Sequence, residues 1–218
     1  MSTQTDATFH DKPALSRRTL LAAAAGIVVL AAIAFDTKVV VIGSEHDVQE
    51  KKFAPATFGA EQFPKTQADI VKRAVPAAEL AAAIAADKAA AAKKYGVATS
   101  VGAVIPVTFR GVVGEHKGNM HVVAVEGIPA DIVVRVQTGP AINGTDLRDA
   151  TGTIEFGQFK NQIEYQDAGS AINNEMKKSV LAGIDPNTLT GKTVEITGVF
   201  KLINPKGWMV TPAKVTVQ

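Results

Sequence analysis

Cysteine is absent from the 218-residue chain, and its absence excludes several kinds of chemistry at once. Without a thiol, the protein forms no disulfide, holds no metal through thiolates and offers no cysteine nucleophile. The chain also has no cysteine to which a diacylglycerol lipid is attached. A protein without cysteine is stable in oxidising and reducing surroundings alike, so its compartment has to be inferred from other features.

A strong charge imbalance is also missing. Lysine and arginine total 23 against 21 aspartates and glutamates, which leaves a net charge of only +2. A protein that binds duplex nucleic acid gathers a far stronger basic face, so we expect no nucleic-acid partner. Glycine and proline are too few for a low-complexity chain, no repeat is visible, and the hydrophobic content of 46% is enough for one globular domain.

Familiar catalytic motifs are missing as well. Gly191-Lys192-Thr193 has the last residues of a phosphate-binding loop, but Pro186 stands where its first glycine is required. The sequence has neither a Gly-x-Ser-x-Gly elbow nor a dinucleotide fingerprint. The four histidines do not pair at a spacing typical of metal ligands and are expected on the surface: His10, His46, His116 and His121. The sequence therefore predicts no catalytic residue, no metal and no cofactor.

The longest uncharged run lies close to the N-terminus. Residues 19–35 contain no charged side chain and follow the basic pair Arg17 and Arg18. Such a run is a buried core helix, the hydrophobic region of a signal peptide or a short membrane span. It shows no amphipathic stripe, which disfavours the core helix. We expect a transmembrane helix over 19–42 and a cytoplasmic tail over 1–18, because the basic pair favours an N-terminus inside the cell.

Two short patterns bear on how this segment is processed. Ser16–Leu21 resembles a twin-arginine export signal, and Ala32-Ile33-Ala34 has the small-x-small form that a signal peptidase accepts. Cleavage after Ala34 and retention as an anchor both remain open, as does the choice between the Sec and twin-arginine routes. Either outcome places residues 36–218 beyond the cytoplasmic membrane, in the periplasm or outside the cell.

A helical region is expected over residues 43–100. Pro64 is expected in the first turn of one helix, and Pro76 opens a second helix that runs from Ala77 to Tyr95. Because alanine dominates the second helix, that helix has little apolar area to bury. We therefore expect it to form a strut or a lid rather than a core element.

From residue 101 onward the pattern predicts short strands around one helix. Strands are expected over 104–115, 120–125, 132–138, 153–156, 193–200 and 208–217, and a helix over 165–181. This order is typical of a five-stranded OB-type barrel, on which Trp208 is expected to pack. The expected fold is α+β, with an N-terminal membrane helix, a short helical region and an OB-like small β-barrel with one packed helix over 101–218.

Polar residues are densest in two stretches, 139–150 and 156–165. In one interpretation these residues are structural: Asn143 forms a turn, Arg148 pairs with a carboxylate and Asn161 bonds the backbone at the start of a helix. In the other interpretation they line a pocket for a sugar-like or peptide-like ligand. The candidate ligand-binding residues are Asn143, Thr145, Asp146, Arg148, Asp149, Asn161, Gln162, Glu164 and Tyr165.

The same two stretches carry a resemblance to a known family. The chain resembles uncharacterised, predicted periplasmic lipoproteins whose genes often lie beside sugar ABC importers. The similarity covers about residues 36–217, and its most specific parts are Lys94-Tyr95-Gly96, Gly139–Ala150, Phe159–Tyr165, Asn204-Pro205 and Thr211-Pro212. This family has no established activity, so the resemblance implies a location and partners but transfers no catalytic residue.

The chain departs from this family just after the hydrophobic run. Many members carry a lipobox cysteine there, whereas this chain reads Phe35-Asp36-Thr37. A protein that stays at the membrane without that cysteine keeps its helix, so we favour an uncleaved anchor.

The resemblance implies a membrane-anchored accessory or binding protein. Its partners would be the cytoplasmic membrane, through residues 19–42, and components of a sugar ABC importer. Two alternatives remain open. One is an envelope glycan hydrolase that uses carboxylates near Asp146 and Glu164, and the other is a structural protein of the cell envelope.

Overall fold

The structure, a computed structural model, describes residues 17–37 and 52–218. The chain divides into two compact units, Met1–Lys52 and Phe53–Gln218. Three parts of the sequence-based expectations lie outside the described residues: the tail up to residue 16, the end of the expected span at 38–42 and the first residues of the expected helical region at 43–51.

The first unit contains helix α1, Arg17–Asp36. Its 20 residues reach about 30 Å at 1.5 Å per residue, which matches the thickness of a bilayer's hydrocarbon core. None of its residues is buried, which contradicts the interpretation as a buried core helix. Within the described residues, α1 is the one helix long and apolar enough to cross a membrane.

Helix α2, Pro55–Arg73, opens the second unit. Its first-turn proline is Pro55, and Pro64 lies inside the helix, so the expectation that Pro64 starts a helix is wrong. The helix continues past Pro64 because Phe63 and Ile70 are buried on one face. Burial of that face outweighs the hydrogen bond that a proline removes.

The expected single helix over 77–95 is two helices, α3 (Ala77–Ala86) and α4 (Lys88–Tyr95). They separate at Asp87, whose carboxylate accepts hydrogen bonds from the backbone amides of Ala89 and Ala90 and so caps α4. The expectation of a strut or a lid rather than a core element is also wrong for α3, because Leu80 and Ile84 are buried in the larger apolar cluster.

Five strands pair in a closed ring. They are β3 (Ala103–Lys117), β4 (Met120–Val125), β5 (Val133–Gln137), β6 (Thr193–Lys201) and β7 (Gly207–Val217). The order around the ring is β3-β4-β5-β7-β6, and β6 pairs back to β3. The β5–β7 pair is parallel and the other four pairs are antiparallel. Two short strands, β1 (Val75–Pro76) and β2 (Val97–Ala98), extend this sheet along β3.

Two helices complete the unit. They are the short α5 (Asp146–Asp149) and α6 (Gln162–Met176), and a π-helical turn over Lys177–Leu181 follows α6. The expected strand over 153–156 is absent from this part of the structure, where a 3-10 turn at Phe156–Gln158 precedes α6. Helix α2 contacts α6 closely, since a Cβ on Gly59 would lie only 2.5 Å from the carbonyl oxygen of Ala171.

The strands separate two apolar clusters because successive residues of a strand face opposite sides. Ile105 and Phe200 point into the barrel, where they join Trp208; we call this cluster the barrel core. Val104 and Val199 face outward and pack against α2, α5 and α6; we call this second cluster the helix-side core. The polar stretches identified in the sequence lie at the helix-side core, which places the candidate site outside the barrel.

Candidate functional site

A polar cleft of about 540 Å³ lies where three segments meet. Its lining comes from residues 97–100, from residues 148–156 and from the first turn of α6. We call it the Arg148 cleft. Four of the residues that the sequence singled out line it: Arg148, Asp149, Gln162 and Tyr165.

Arg148 is the most constrained of these side chains. Its Nε and Nη2 both lie 2.8 Å from Oδ1 of Asp149, and Nη1 donates to the backbone carbonyl of Tyr165 at 2.9 Å. The guanidinium carbon also lies 3.6 Å from the centroid of the Tyr165 ring. Arg148 therefore ties α5 to the start of α6 and fixes the position of the Tyr165 ring beside the cleft.

Tyr165 belongs to a row of aromatic rings. Its ring contacts Phe159 at 5.4 Å and Phe156 at 5.6 Å, and Phe159 continues the row to Phe58 and Phe53. Phe156 is 50% exposed and lines the cleft. Phe156 gives the cleft an apolar face beside its polar side chains. It was not among the candidate residues, because the sequence predicted a strand at 153–156.

Beneath the cleft, two carboxylates and a lysine form a buried network. Lys201 Nζ lies 3.5 Å from Oδ1 of Asp146 and 3.8 Å from Oδ2 of Asp149, and Thr145 donates its hydroxyl to Oδ2 of Asp149 at 2.7 Å. Burial raises the pKa of Asp146 above its ordinary value, although the charge of Lys201 opposes that shift. Asp146 and Thr145 therefore support the site from below and do not line it.

Gln137 holds the loop that carries Asn143. Its side-chain amide donates to the backbone carbonyl of Asn143 at 2.9 Å and to the Thr211 hydroxyl at 2.8 Å, and its oxygen accepts the Asn143 amide at 2.7 Å. Gln137 is 1% exposed, so these bonds satisfy a polar group that is costly to bury alone. This role could not be predicted from the sequence, because Gln137 fits the alternation of strand β5.

The remaining candidates form the N-terminal cap of α6. The Asn161 side-chain oxygen accepts the Glu164 amide at 2.9 Å, and the Glu164 carboxylate accepts the Lys160 amide at 3.0 Å. Neither Asn161 nor Glu164 lines the cleft. Gln162, which lies between them in the sequence, does line it. The carboxylates of Asp146 and Glu164, considered for a glycan hydrolase, are thus occupied in a buried ion pair and in a helix cap.

His10 and His46 lie outside the described residues, and of the other two histidines His121 differs from the expected surface role. His121 is fully buried, its Nδ1 shares a hydrogen bond with the Thr138 hydroxyl at 2.7 Å, and its ring stacks on His116 with centroids 4.2 Å apart. Burial, and to a smaller degree the charge of His116, lowers the pKa of His121. Among residues 17–37 and 52–218, no three histidine or carboxylate side chains cluster as metal ligands.

Comparison with known proteins agrees with this architecture. The profile of a family described as predicted periplasmic lipoprotein (DUF2291) matches residues 24–216. The crystal structure of an OB-fold protein from Thermotoga maritima is similar at a TM-score of 0.62 and 19% identity, covering 77% of this chain and 100% of that one. At that identity the likeness shows the fold alone, and it confirms the expected OB-like α+β fold. No curated protein matches the chain.

Proposed function

Because the chain belongs to the family of predicted periplasmic lipoproteins (DUF2291), we propose that it is a membrane-anchored periplasmic accessory protein that binds its ligand in the Arg148 cleft. The observation that carries this proposal is the cleft itself. Arg148 and Asp149 are held rigidly at its base, while Phe156 and Gln162 are exposed at its surface. Ligand sites in proteins commonly combine such apolar faces with a few fixed polar groups.

The proposed anchor is α1. The family is named for lipoproteins, but this chain contains no cysteine to carry a lipid. A helix of 20 residues with no buried side chain supplies the membrane attachment instead. After a carbonate wash we expect the full-length protein in the membrane pellet. A soluble mature form that begins at Phe35 would contradict the anchor, although not export.

We propose that the ligand is a sugar, either free or carried by a component of a sugar importer. An exposed aromatic ring offers a face on which a sugar ring stacks, and Gln162 and Glu155 offer hydrogen-bond partners beside it. The resemblance to proteins encoded beside sugar ABC importers supports the same ligand class. The cleft volume of about 540 Å³ is of the size that small-molecule sites have.

The test is a thermal-shift screen of the detergent-solubilised full chain against a panel of mono- and disaccharides. We expect at least one sugar to raise the melting temperature of the wild type, and we expect Gln162→Ala and Phe156→Ala to remove that rise. Ile163→Ala is the matched control, because Ile163 is 70% exposed in the same turn and does not line the cleft. Equal loss of the rise in all three variants, or no rise with any sugar, would argue against the cleft as a sugar site.

Association with an importer is tested separately. We expect the anchored protein, purified from membranes under mild conditions, to bring with it a permease or a substrate-binding protein of a sugar importer. Recovery of neither subunit in repeated purifications would remove this part of the proposal and leave the cleft to be tested by the sugar screen.

A further inference from the structure

A second groove shares a wall with the Arg148 cleft. Ala98 and Thr99 line both the cleft and this groove of about 610 Å³, which lies between α4 and the start of β3. The floor of the groove is apolar, with Ala92, Ala103 and Leu202 among its lining residues. Apart from Ala98 and Thr99, none of the residues that line the groove lines the proposed ligand site.

The rim of the groove combines lysines with exposed aliphatic side chains. Lys88 and Lys93 of α4 line it, and Val101 and Ile203 beside it are 59% and 58% exposed. Lys88 Nζ donates to the backbone carbonyl of Ile203 at 2.6 Å, which holds the lysine next to the aliphatic pair. We call Lys88, Lys93, Val101 and Ile203, with Ala89 and Ala92 of α4, the α4 patch.

A tight turn presents Val101 to solvent. The Thr99 amide and hydroxyl both lie 2.9 Å from the carbonyl oxygen of Gly102 and donate hydrogen bonds to it. Gly102 has a φ of +81°, and a Cβ there would lie 2.9 Å from the Leu202 carbonyl, so the turn packs directly against the chain that carries Ile203. The backbone segments that carry the two exposed aliphatic side chains are therefore held next to each other.

The lysines of the patch are not neutralised within the domain. In the part of the chain that the structure describes, no carboxylate lies within ion-pair distance of Lys88 or Lys93. The nearby Asp87 carboxylate accepts the amides at the start of α4, and the Glu79 carboxylate accepts the Tyr95 hydroxyl, to which Lys94 also donates. The patch therefore offers positive charge to a partner that carries negative charge.

We propose that the α4 patch docks on the surface of an anionic lipid bilayer, with Lys88 and Lys93 toward the phosphates and with Val101 and Ile203 in the interface. Lysines beside aliphatic side chains are what anionic bilayer surfaces attract. The proposal rests on the membrane anchor of the proposed function. Residues 37–52 join α1 to the domain, and a chain of that length spans at most about 60 Å, so even weak docking is favoured by a high local lipid concentration.

Docking through this patch has a consequence for the ligand site. Because Ala98 and Thr99 are shared walls, a docked domain holds the Arg148 cleft at the membrane surface. A ligand in the cleft would then be presented at the level where a membrane transporter opens. The anchor sets only an upper limit on the distance between the domain and the membrane, whereas docking through the patch would set the orientation of the domain.

The test places a fluorophore on the patch. The chain has no cysteine, so Val101→Cys in the full-length protein gives a single labelling site for an environment-sensitive dye. The protein is reconstituted in vesicles of pure phosphatidylcholine or of phosphatidylcholine with phosphatidylglycerol. We expect blue-shifted emission and quenching by spin-labelled lipid only in the anionic vesicles. Lys88→Gln with Lys93→Gln should lower the docking equilibrium constant about 30-fold, at roughly a factor of five per lysine.

Two controls make the outcome specific. Lys192→Gln with Lys214→Gln removes the same charge from exposed positions outside the patch and should leave the signal unchanged. A dye attached at Lys117→Cys, at the opposite end of β3, should show the emission of a water-exposed label in both kinds of vesicle. A Val101 label that reports water in anionic vesicles, or quenching that persists without Lys88 and Lys93, would overturn the proposal.

The experiment also separates the two proposals. Protein that is lost from the vesicles on carbonate washing contradicts the anchor, and the docking proposal falls with it. Protein that is retained while the Val101 label reports water contradicts docking alone. A signal that grows with the protein-to-lipid ratio and ignores lipid charge would show that a second copy of the chain covers the patch, which also overturns the proposal.

Discussion

The barrel core and the helix-side core are built on opposite faces of the same strands, yet they differ in kind. The barrel core is apolar and is filled by large side chains such as Trp208, which stacks on Phe200 with centroids 4.7 Å apart. The helix-side core has an apolar floor beneath buried charges, with Arg148, Asp149 and Lys201 in one network. A buried ion pair contributes little net stability compared with apolar residues of similar volume. The barrel therefore supplies stability, while the charged layer fixes geometry at the cleft.

The largest expected effect belongs to the barrel core. Trp208 is fully buried and its Nε1 donates to the Pro205 carbonyl at 3.0 Å, so Trp208→Ala leaves a large cavity and an unpaired carbonyl. We expect a loss of about 3–5 kcal/mol in the free energy of unfolding, measured by chemical denaturation. Phe156→Ala, at a half-exposed aromatic residue, is the control and should cost far less. Equal losses would erase the distinction between core and cleft.

The second-largest loss of stability is expected when Arg148 is removed from the charged network beside the helix-side core. The side chains of Arg148 and Asp149 are 8% and 12% exposed, so Arg148→Ala leaves a carboxylate in a buried site without its arginine partner. We expect a cost of about 3 kcal/mol. Arg110→Ala breaks the exposed pair with Glu126, whose closest atoms are 3.6 Å apart, and should cost under about 1 kcal/mol. A small effect at Arg148 would show that water screens the network.

His121, which is buried beside the barrel core, predicts a pH dependence of stability. In the unfolded chain His121 takes up a proton below about pH 6.5, but burial lowers its pKa in the folded protein. Because the unfolded state then binds more protons, stability should fall as the pH decreases through 6.5 toward the folded pKa. Denaturation between pH 5 and pH 8 measures this slope. His121→Leu should flatten it, whereas His116→Gln should keep most of it; an unchanged slope in His121→Leu would assign the dependence elsewhere.

The smallest expected effect on stability distinguishes two neighbouring residues at the start of α6, Asn161 and Gln162. Asn161 caps α6 through its bond to the Glu164 amide, so Asn161→Ala should cost about 1 kcal/mol. Gln162 is exposed and lines the cleft, and Gln162→Ala should leave the free energy of unfolding within about 0.5 kcal/mol of the wild type. Thermal melts of both variants check the pair. A reversed order would mean that Gln162 is structural and that the cleft loses one of its candidate residues.

The sequence predicted the barrel better than the helices. Alternating residues identified Met120–Val125 with its observed bounds and the other four barrel strands to within two residues at each end, because one face of each strand is buried. The break at Asp87 was missed since alanine-rich sequence favours helix on both sides of it, and only the capping bonds show where the chain turns. Pro64 was misplaced because local propensity cannot register the burial of Phe63 against distant strands.

The candidate site was predicted in part for a similar reason. The motif at 139–150 and 156–165 located Arg148, Asp149, Gln162 and Tyr165 at the cleft. The sequence could not show that residues 97–100 form the opposite wall, because about 50 residues separate them from Arg148 along the chain. Nor could it show that Asp146 is buried beneath Lys201 while Gln162 faces solvent, since both residue types are common in clefts and in networks.

We expect the Arg148 cleft to be the surface through which the protein binds its ligand. The most direct measurement replaces Phe156 by the photoreactive p-benzoylphenylalanine in the living cell and identifies what becomes attached on irradiation. We expect an adduct with a sugar-bearing molecule or a sugar-importer subunit at position 156. The yield of that adduct should be much lower at position 163, which is exposed outside the cleft. The same adducts at both positions, or none at 156, would contradict it.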